Sequence, residues 1–183
     1  MCRSWQSTFS LVVLMGALAA PRAAAQKHPS HDSAGRGHPG ARSTDSAFRA
    51  LQERGRQAMG VDQYTSVHRF DDLADGGRIE LQRAEDDSAG VATIRAHLRS
   101  IKSAFESGDF STPAFVHMGP VPGAGVMAQR RAQLHYEVRD LPRGAALHIR
   151  TRDAAALSAV RDFMAFQRRA HRTAGHDGAQ KLE

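Results

Sequence analysis

Two stretches of the chain alternate apolar and polar residues with a period of two, and an amphipathic helical pattern follows each of them. The stretches are residues 64–83 and residues 132–152. A period of two places alternate side chains on opposite faces of a strand. Each stretch is interrupted by turn-forming residues, Asp75-Gly76-Gly77 in the first and Pro142-Arg143-Gly144 in the second. Both stretches are therefore predicted to be β-hairpins.

Three helices are predicted from apolar residues that recur every three or four positions. The first covers residues 46–59, with Asp45 as its N-cap and Gly60 as its end. The second begins after Asp86 or Asp87 and ends at Gly108. The third runs from a cap at Asp153 to residue 170. Asp accepts hydrogen bonds from the free amides of a first helical turn, and Gly adopts the left-handed conformation that ends a helix.

The order of elements is a helix, a ββα unit, a long loop at residues 109–131, and a second ββα unit. The two units can be overlaid at offsets of 66 to 68 residues, which place His68 on His135, Ile79 on Leu147, and Ile94 on Val160. This repetition predicts an α+β domain at residues 45–175, made of duplicated ββα units that form a four-stranded, mainly antiparallel sheet with its helices packed on one face. Hairpins that arose independently would give the same pattern.

The N-terminal residues resemble an export signal. Arg3 precedes an apolar run of 12 residues and an Ala23-Ala24-Ala25 cleavage site, and a run of that length is shorter than the roughly 20 residues that span a bilayer. We therefore expect a signal peptide at residues 1–25, with a retained anchor as the alternative, and a periplasmic or secreted protein. Cleavage would remove Cys2, the only cysteine. Residues 26–44 and 176–183 are polar and are predicted to be disordered.

Composition and motifs argue against several classes of function. The net charge of +6 is spread along the chain, and only two tyrosines and one tryptophan occur. No basic aromatic platform for nucleic acid is therefore expected. The sequence has no nucleophile elbow, no phosphate-binding loop and no zinc protease motif. We therefore expect a protein that is not an enzyme, although the sequence does not decide this point.

Histidine and methionine supply the remaining candidate chemistry. The candidate metal ligands are His97 on the second helix, His117 and Met127 on the long loop, and His68 on the first hairpin. Imidazole together with thioether suits a soft ion, and copper is the cofactor that this set predicts. A core-edge role for the histidines and a packing role for the methionines are the structural alternatives. His171 lies at the end of the last helix, where the helix dipole favours it.

Four segments carry a resemblance to a known family. They are MGVDQYTSVHRF at 59–70, IRAHLRSIKSAFESGDFSTP at 94–113, VPGAGVM at 121–127, and AVRDFMAFQRRAHRTAG at 159–175. Together they resemble an exported bacterial family of unknown function, whose members are often automatically labelled aspartate carbamoyltransferase. Carbamoyl transfer needs a two-domain scaffold of about twice this length and a phosphate site at a helix N-terminus. The sequence therefore predicts that this label does not describe its activity.

The sequence thus predicts a small exported protein that binds a ligand, with a soft metal ion such as copper as the most specific form of the hypothesis. Two alternatives remain open. One is a small enzyme that uses His97 or His68 as a general base beside a carboxylate. The other is an interaction module for a protein partner in the cell envelope, which would need an exposed apolar patch.

Overall fold

The computed structural model describes residues 39–173, and their side chains from residue 45 onwards. The predicted signal peptide, residues 26–38 of the predicted disordered segment, and the tail at 176–183 lie outside this range. The described part contains five α-helices, four β-strands and a short 3₁₀ turn. They are α1 (Pro39–Met59), β1 (Ser66–Leu73), β2 (Gly76–Arg83), α2 (Ser88–Ser107), α3 (Ser111–His117), α4 (Ala124–Gln129), the 3₁₀ turn (Arg131–Gln133), β3 (Leu134–Leu141), β4 (Gly144–Thr151) and α5 (Ala154–His171).

The four strands form one antiparallel sheet in the order β1-β2-β4-β3. The two hairpins are joined through their second strands, so β2 and β4 lie at the centre. The predicted fold class is confirmed. The turns are shorter than predicted, because Gly76 and Gly144 already belong to the strands β2 and β4.

The two ββα units are related by an approximate internal two-fold axis. Corresponding strand residues are 68 positions apart throughout, from Ser66 and Leu134 at the start to Gly76 and Gly144 after the turn. Ile79 on β2 pairs with its own counterpart, Leu147 on β4, so the axis passes between these two residues.

The uniform strand offset corrects the sequence overlay of the first strands. The counterpart of His68 is Tyr136, and His135 corresponds to Val67. The two hairpins have equal length, so no insertion separates them. His68 and His135 therefore do not share a role: the ring of His68 lies against α5, while His135 is exposed.

The two long helices after the hairpins begin at equivalent caps. Asp87 accepts a hydrogen bond from the amide of Gly90, and Asp153, 66 residues later, accepts one from the amide of Ala156. Gly108 ends α2 in the left-handed conformation, as predicted. The residues of α2 from Ser88 to Phe105 thus have their counterparts 66 residues later in α5.

The long helices pack across the molecule rather than onto their own hairpins. Helix α2 lies mainly on β3 and β4, whereas α5 lies mainly on β1. Between them and the sheet is one apolar core, whose largest fully buried side chains include Phe105, Ile94 and Leu98 from α2, and Phe163, Met164 and Val160 from α5. Because each helix covers strands of the other unit, the two units share a single core.

Two segments differ from the sequence prediction. Helix α1 begins at Pro39, so Asp45 lies inside the helix instead of capping it, and residues 39–44 of the predicted disordered segment are helical. The predicted loop at 109–131 contains the helices α3 and α4. Proline is tolerated in a first helical turn, where its missing N–H has no partner in any case. None of the helices described at residues 39–173 is both long and apolar enough to cross a membrane.

Candidate functional site

A small cavity lies between the sheet and the helices α1, α2, α3 and α5. Its volume is about 90 Å³, and its wall is almost entirely apolar. The polar exceptions include four histidines that come from four different elements: His68 from β1, His97 from α2, His117 from α3 and His171 from α5. Of the described residues that line this cavity, none carries a carboxylate.

His171 is the central ring of this histidine cluster. Its ring centroid is 5.9 Å from that of His68, and the two rings are nearly parallel. The ring centroid of His117 is 5.2 Å from that of His171, and these rings meet edge to face. The Nε2 atom of His68 is buried and has no hydrogen-bond partner within the described structure. A buried polar atom without a partner costs free energy that a bound ligand would recover.

The other two histidines are each held by an oxygen acceptor. His97 bonds the backbone carbonyl of Ala58 near the end of α1. The Nε2 atom of His117 lies 2.9 Å from Oε1 of Gln167, a buried residue of α5. A neutral imidazole that donates one N–H to an oxygen keeps a lone pair on its second nitrogen. Both rings are therefore oriented, and each has one nitrogen available as an acceptor or a ligand.

Burial in this apolar wall lowers the pKa of all four imidazoles. Burial is the main cause at His68, whose pKa falls to about 4, with a smaller effect from His97. The pKa of His97 is also about 4 because of burial, despite the opposing hydrogen bond to Ala58. Burial and then the neighbouring His68 and His117 lower the pKa of His171 to about 3.

The pKa of His117 is lowered as well, mainly by burial and further by the charge of Arg54, while the bond to Gln167 acts in the opposite direction. Each imidazole of the cluster is therefore neutral at neutral pH. Neutral imidazole is the form that binds a metal ion or accepts a hydrogen bond.

The structure brings together three of the four metal ligands that the sequence predicts. His68, His97 and His117 line the cavity, but Met127 does not. Met127 is fully buried in the apolar core on α4, where it fills space between helices. The neighbouring Met118 ends α3 and is 78 % exposed.

Sequence reasoning missed two residues of the cavity, His171 and Gln167. In the sequence, the helix dipole is a sufficient reason for His171 at the end of a helix, and Gln167 carries no signal of its own. The internal two-fold axis reveals both, because their counterparts in α2 are Phe105 and Ile101. The counterparts of His97 and His68 are likewise aromatic, Phe163 and Tyr136. In four pairs of equivalent positions, one residue is thus polar and its counterpart is apolar or aromatic.

As they stand, no three His, Cys, Asp or Glu side chains in the described part of the chain are arranged to hold one metal ion. Instead of a completed three- or four-ligand centre, the described residues offer two imidazole pairs in ring contact, His68 with His171 and His117 with His171. No protein-family model, no curated protein and no solved structure matches the chain.

Proposed function

We propose that the protein is an exported ligand-binding protein whose histidine cavity holds a soft metal ion, Cu(I). His171 and His68 are the primary ligands, and His97 and His117 flank them. The observation that carries this proposal is the convergence of four neutral imidazoles, from four elements, on one apolar cavity.

The size of the cavity favours an ion over an organic ligand. Its volume is about 90 Å³, whereas a dry cavity that takes a benzene ring measures roughly 150 Å³. A single ion with a few light atoms fits this space without rearrangement of the core. A cofactor of nucleotide or haem size does not.

The ligand set favours Cu(I) over other ions. Calcium and magnesium need several oxygen ligands, and no carboxylate of a described residue lines the cavity. Structural zinc is bound by four ligands in a tetrahedron, which imidazole pairs do not supply. Imidazole is a ligand that suits copper, and Cu(I) is a soft, closed-shell ion that is stable with two nitrogen ligands. The alternative of an enzyme with His97 or His68 as its general base is less well supported. It would need a carboxylate beside the imidazole, and none of the described residues that line the cavity carries one.

The test is an anaerobic titration of the mature, untagged chain with Cu(I) in competition with a chromophoric chelator. His28, His31 and His38 are replaced by Ala in every sample, so that the N-terminal tract contributes no ligands. We expect one high-affinity site per chain. His171→Ala and His68→Ala should each weaken it by at least about 100-fold, since even loss of an outer-shell partner costs 10- to 100-fold.

The matched control is His135→Ala, because this residue is exposed on β3. Its Cu(I) affinity should equal that of the parent chain. Circular dichroism verifies that each variant is folded. Equal affinities of the parent chain and the folded His68→Ala, His171→Ala double variant would overturn the proposal.

A further inference from the structure

Gln167 is a polar residue at a core position of α5. It is 4 % exposed, and it lies one helical turn after Phe163 and one turn before His171. Its counterpart in α2, Ile101, is apolar and packs in the core. The internal repeat therefore accepts an aliphatic side chain at this position. Burying an amide there costs free energy unless its hydrogen bonds are made.

The partner of this buried amide is a histidine of the cavity. Oε1 of Gln167 lies 2.9 Å from Nε2 of His117, across 50 residues of sequence. An amide oxygen can only accept, so this contact places the imidazole proton on Nε2 and leaves the lone pair on Nδ1. The carbonyl of Ala58 orients His97 in the same manner. Histidines that bind metal ions almost always donate their second ring N–H to such an oxygen.

We propose that Gln167 is a positioning residue, which fixes the tautomer of His117 so that Nδ1 stays unprotonated and available to the ligand in the cavity. The nature of that ligand rests on the proposed function. The tautomer does not, because Gln167 sets it in the metal-free protein. The polar residue at position 167 thus serves the cavity and not the packing of the core.

Two variants of Gln167 separate positioning from packing. Gln167→Met keeps the length of the side chain but removes the acceptor, and Gln167→Glu keeps an acceptor oxygen. The control is Gln82→Met on β2, where the lost amide bonds Glu80 and does not line the cavity. Long-range ¹H–¹⁵N spectra of the metal-free protein report which ring nitrogen of His117 carries the proton, and Cu(I) titrations report affinity.

We expect the proton of His117 on Nε2 in the parent chain, in Gln167→Glu and in Gln82→Met. In Gln167→Met the ring should become a mixture of tautomers, and Cu(I) affinity should fall by about 10- to 100-fold. A proton on Nδ1 in the parent chain, or an unchanged tautomer in Gln167→Met, would overturn the proposal. If the tautomer shifts as expected but the parent chain binds no Cu(I), the choice of ion fails while the role of Gln167 stands.

Discussion

At the scale of single residues, Gly76 and Gly144 occupy equivalent positions at the start of the two central strands. A Cβ atom on Gly76 would collide with the backbone carbonyl of Ile149, and one on Gly144 would collide with that of Leu81. Neither glycine has a positive φ. These residues are needed because β2 and β4 approach closely, and not because a turn requires an unusual backbone conformation.

We predict that Gly76→Ala and Gly144→Ala each lower the free energy of unfolding by at least about 2 kcal/mol, because a backbone carbonyl cannot move aside as a flexible side chain can. The measurement is urea unfolding followed by circular dichroism. Gly125→Ala is the control, since no other atom lies near its Cβ position. It should not lower the free energy of unfolding, and the higher helix propensity of Ala in α4 should raise it by up to about 1 kcal/mol. A loss at Gly125 as large as at Gly76 would contradict this reasoning.

At the scale of elements, the side chain of Arg168 joins α5 to the hairpin of the other unit by hydrogen bonds. Its guanidinium donates to the carbonyl of Phe70 at 2.9 Å and to the carboxylate of Asp72 at 2.7 Å. This contact lies one turn before His171 and so fixes the end of α5 that contributes the central ring. The counterpart of Arg168 in α2 is Lys102, which only forms a pair with Glu106 on the same helix.

Removing the contacts of Arg168 should lower the free energy of unfolding much more than removing the ion pair of its counterpart, Lys102. We expect Arg168→Met to lower the free energy of unfolding by about 2 kcal/mol, because Asp72 loses a charged hydrogen-bond partner. Lys102→Met should cost only a few tenths of a kcal/mol, as is typical of a pair within one helix. Chemical denaturation measures both variants. Equal losses would show that α5 is not held by this contact.

How well each element could be predicted depended on whether its signal is local. Asp87, Asp153 and Gly108 act within one helical turn, so the caps of α2 and the start of α5 follow from the sequence. The N-cap residues of α3 and α4, Phe110 and Gly123, make no side-chain hydrogen bond to the first turn, and the prolines and glycines of this segment are typical of loops. Packing against the core stabilises them, and that contribution is not visible in a single sequence.

The cavity was predictable only in part for a related reason. His68 and His171 are 103 positions apart, and only the crossing of α5 over β1 brings their rings together. The sequence identified imidazoles as the relevant chemistry but did not determine which of them converge. An error of one residue in the overlay paired His68 with His135 instead of Tyr136. That error concealed the exchange of aromatic for polar residues across the axis.

At the scale of the whole molecule, the internal two-fold symmetry is broken at the cavity. Three aromatic residues of the core have imidazoles as their counterparts across the axis: Phe105, Phe163 and Tyr136, of which Phe105 contacts the other two rings. These counterparts are His171, His97 and His68. The buried imidazoles make the cavity one place where the described part of the molecule is sensitive to acid.

The sign of this sensitivity follows from the pKa values in the cavity. The pKa of His68 and of His97 is about 4 in the folded protein, and that of His171 is about 3, against 6.5 for an unperturbed imidazole. Below pH 6.5 the unfolded chain therefore binds protons that the folded protein does not. The part of the free energy of unfolding that depends on these neutral imidazoles is fully present above pH 6.5. It is lost as the pH falls towards 4, by about 1.4 kcal/mol per pH unit for each histidine.

We predict that these three histidines together lower the free energy of unfolding by about 4 kcal/mol between pH 7 and pH 5.5, a large part of the 5–15 kcal/mol typical of a domain. The decisive variant is His68→Tyr with His171→Phe, which gives each position the residue of its counterpart. Urea unfolding at a series of pH values should show that it takes up about two fewer protons on unfolding at pH 5.5. The control is His135→Val, which places the residue of the exposed counterpart Val67 at position 135. Its free energy of unfolding should depend on pH in the same way as that of the parent chain. If the free energy of unfolding of the double variant depends on pH as it does in the parent chain, the acid sensitivity arises outside the cavity.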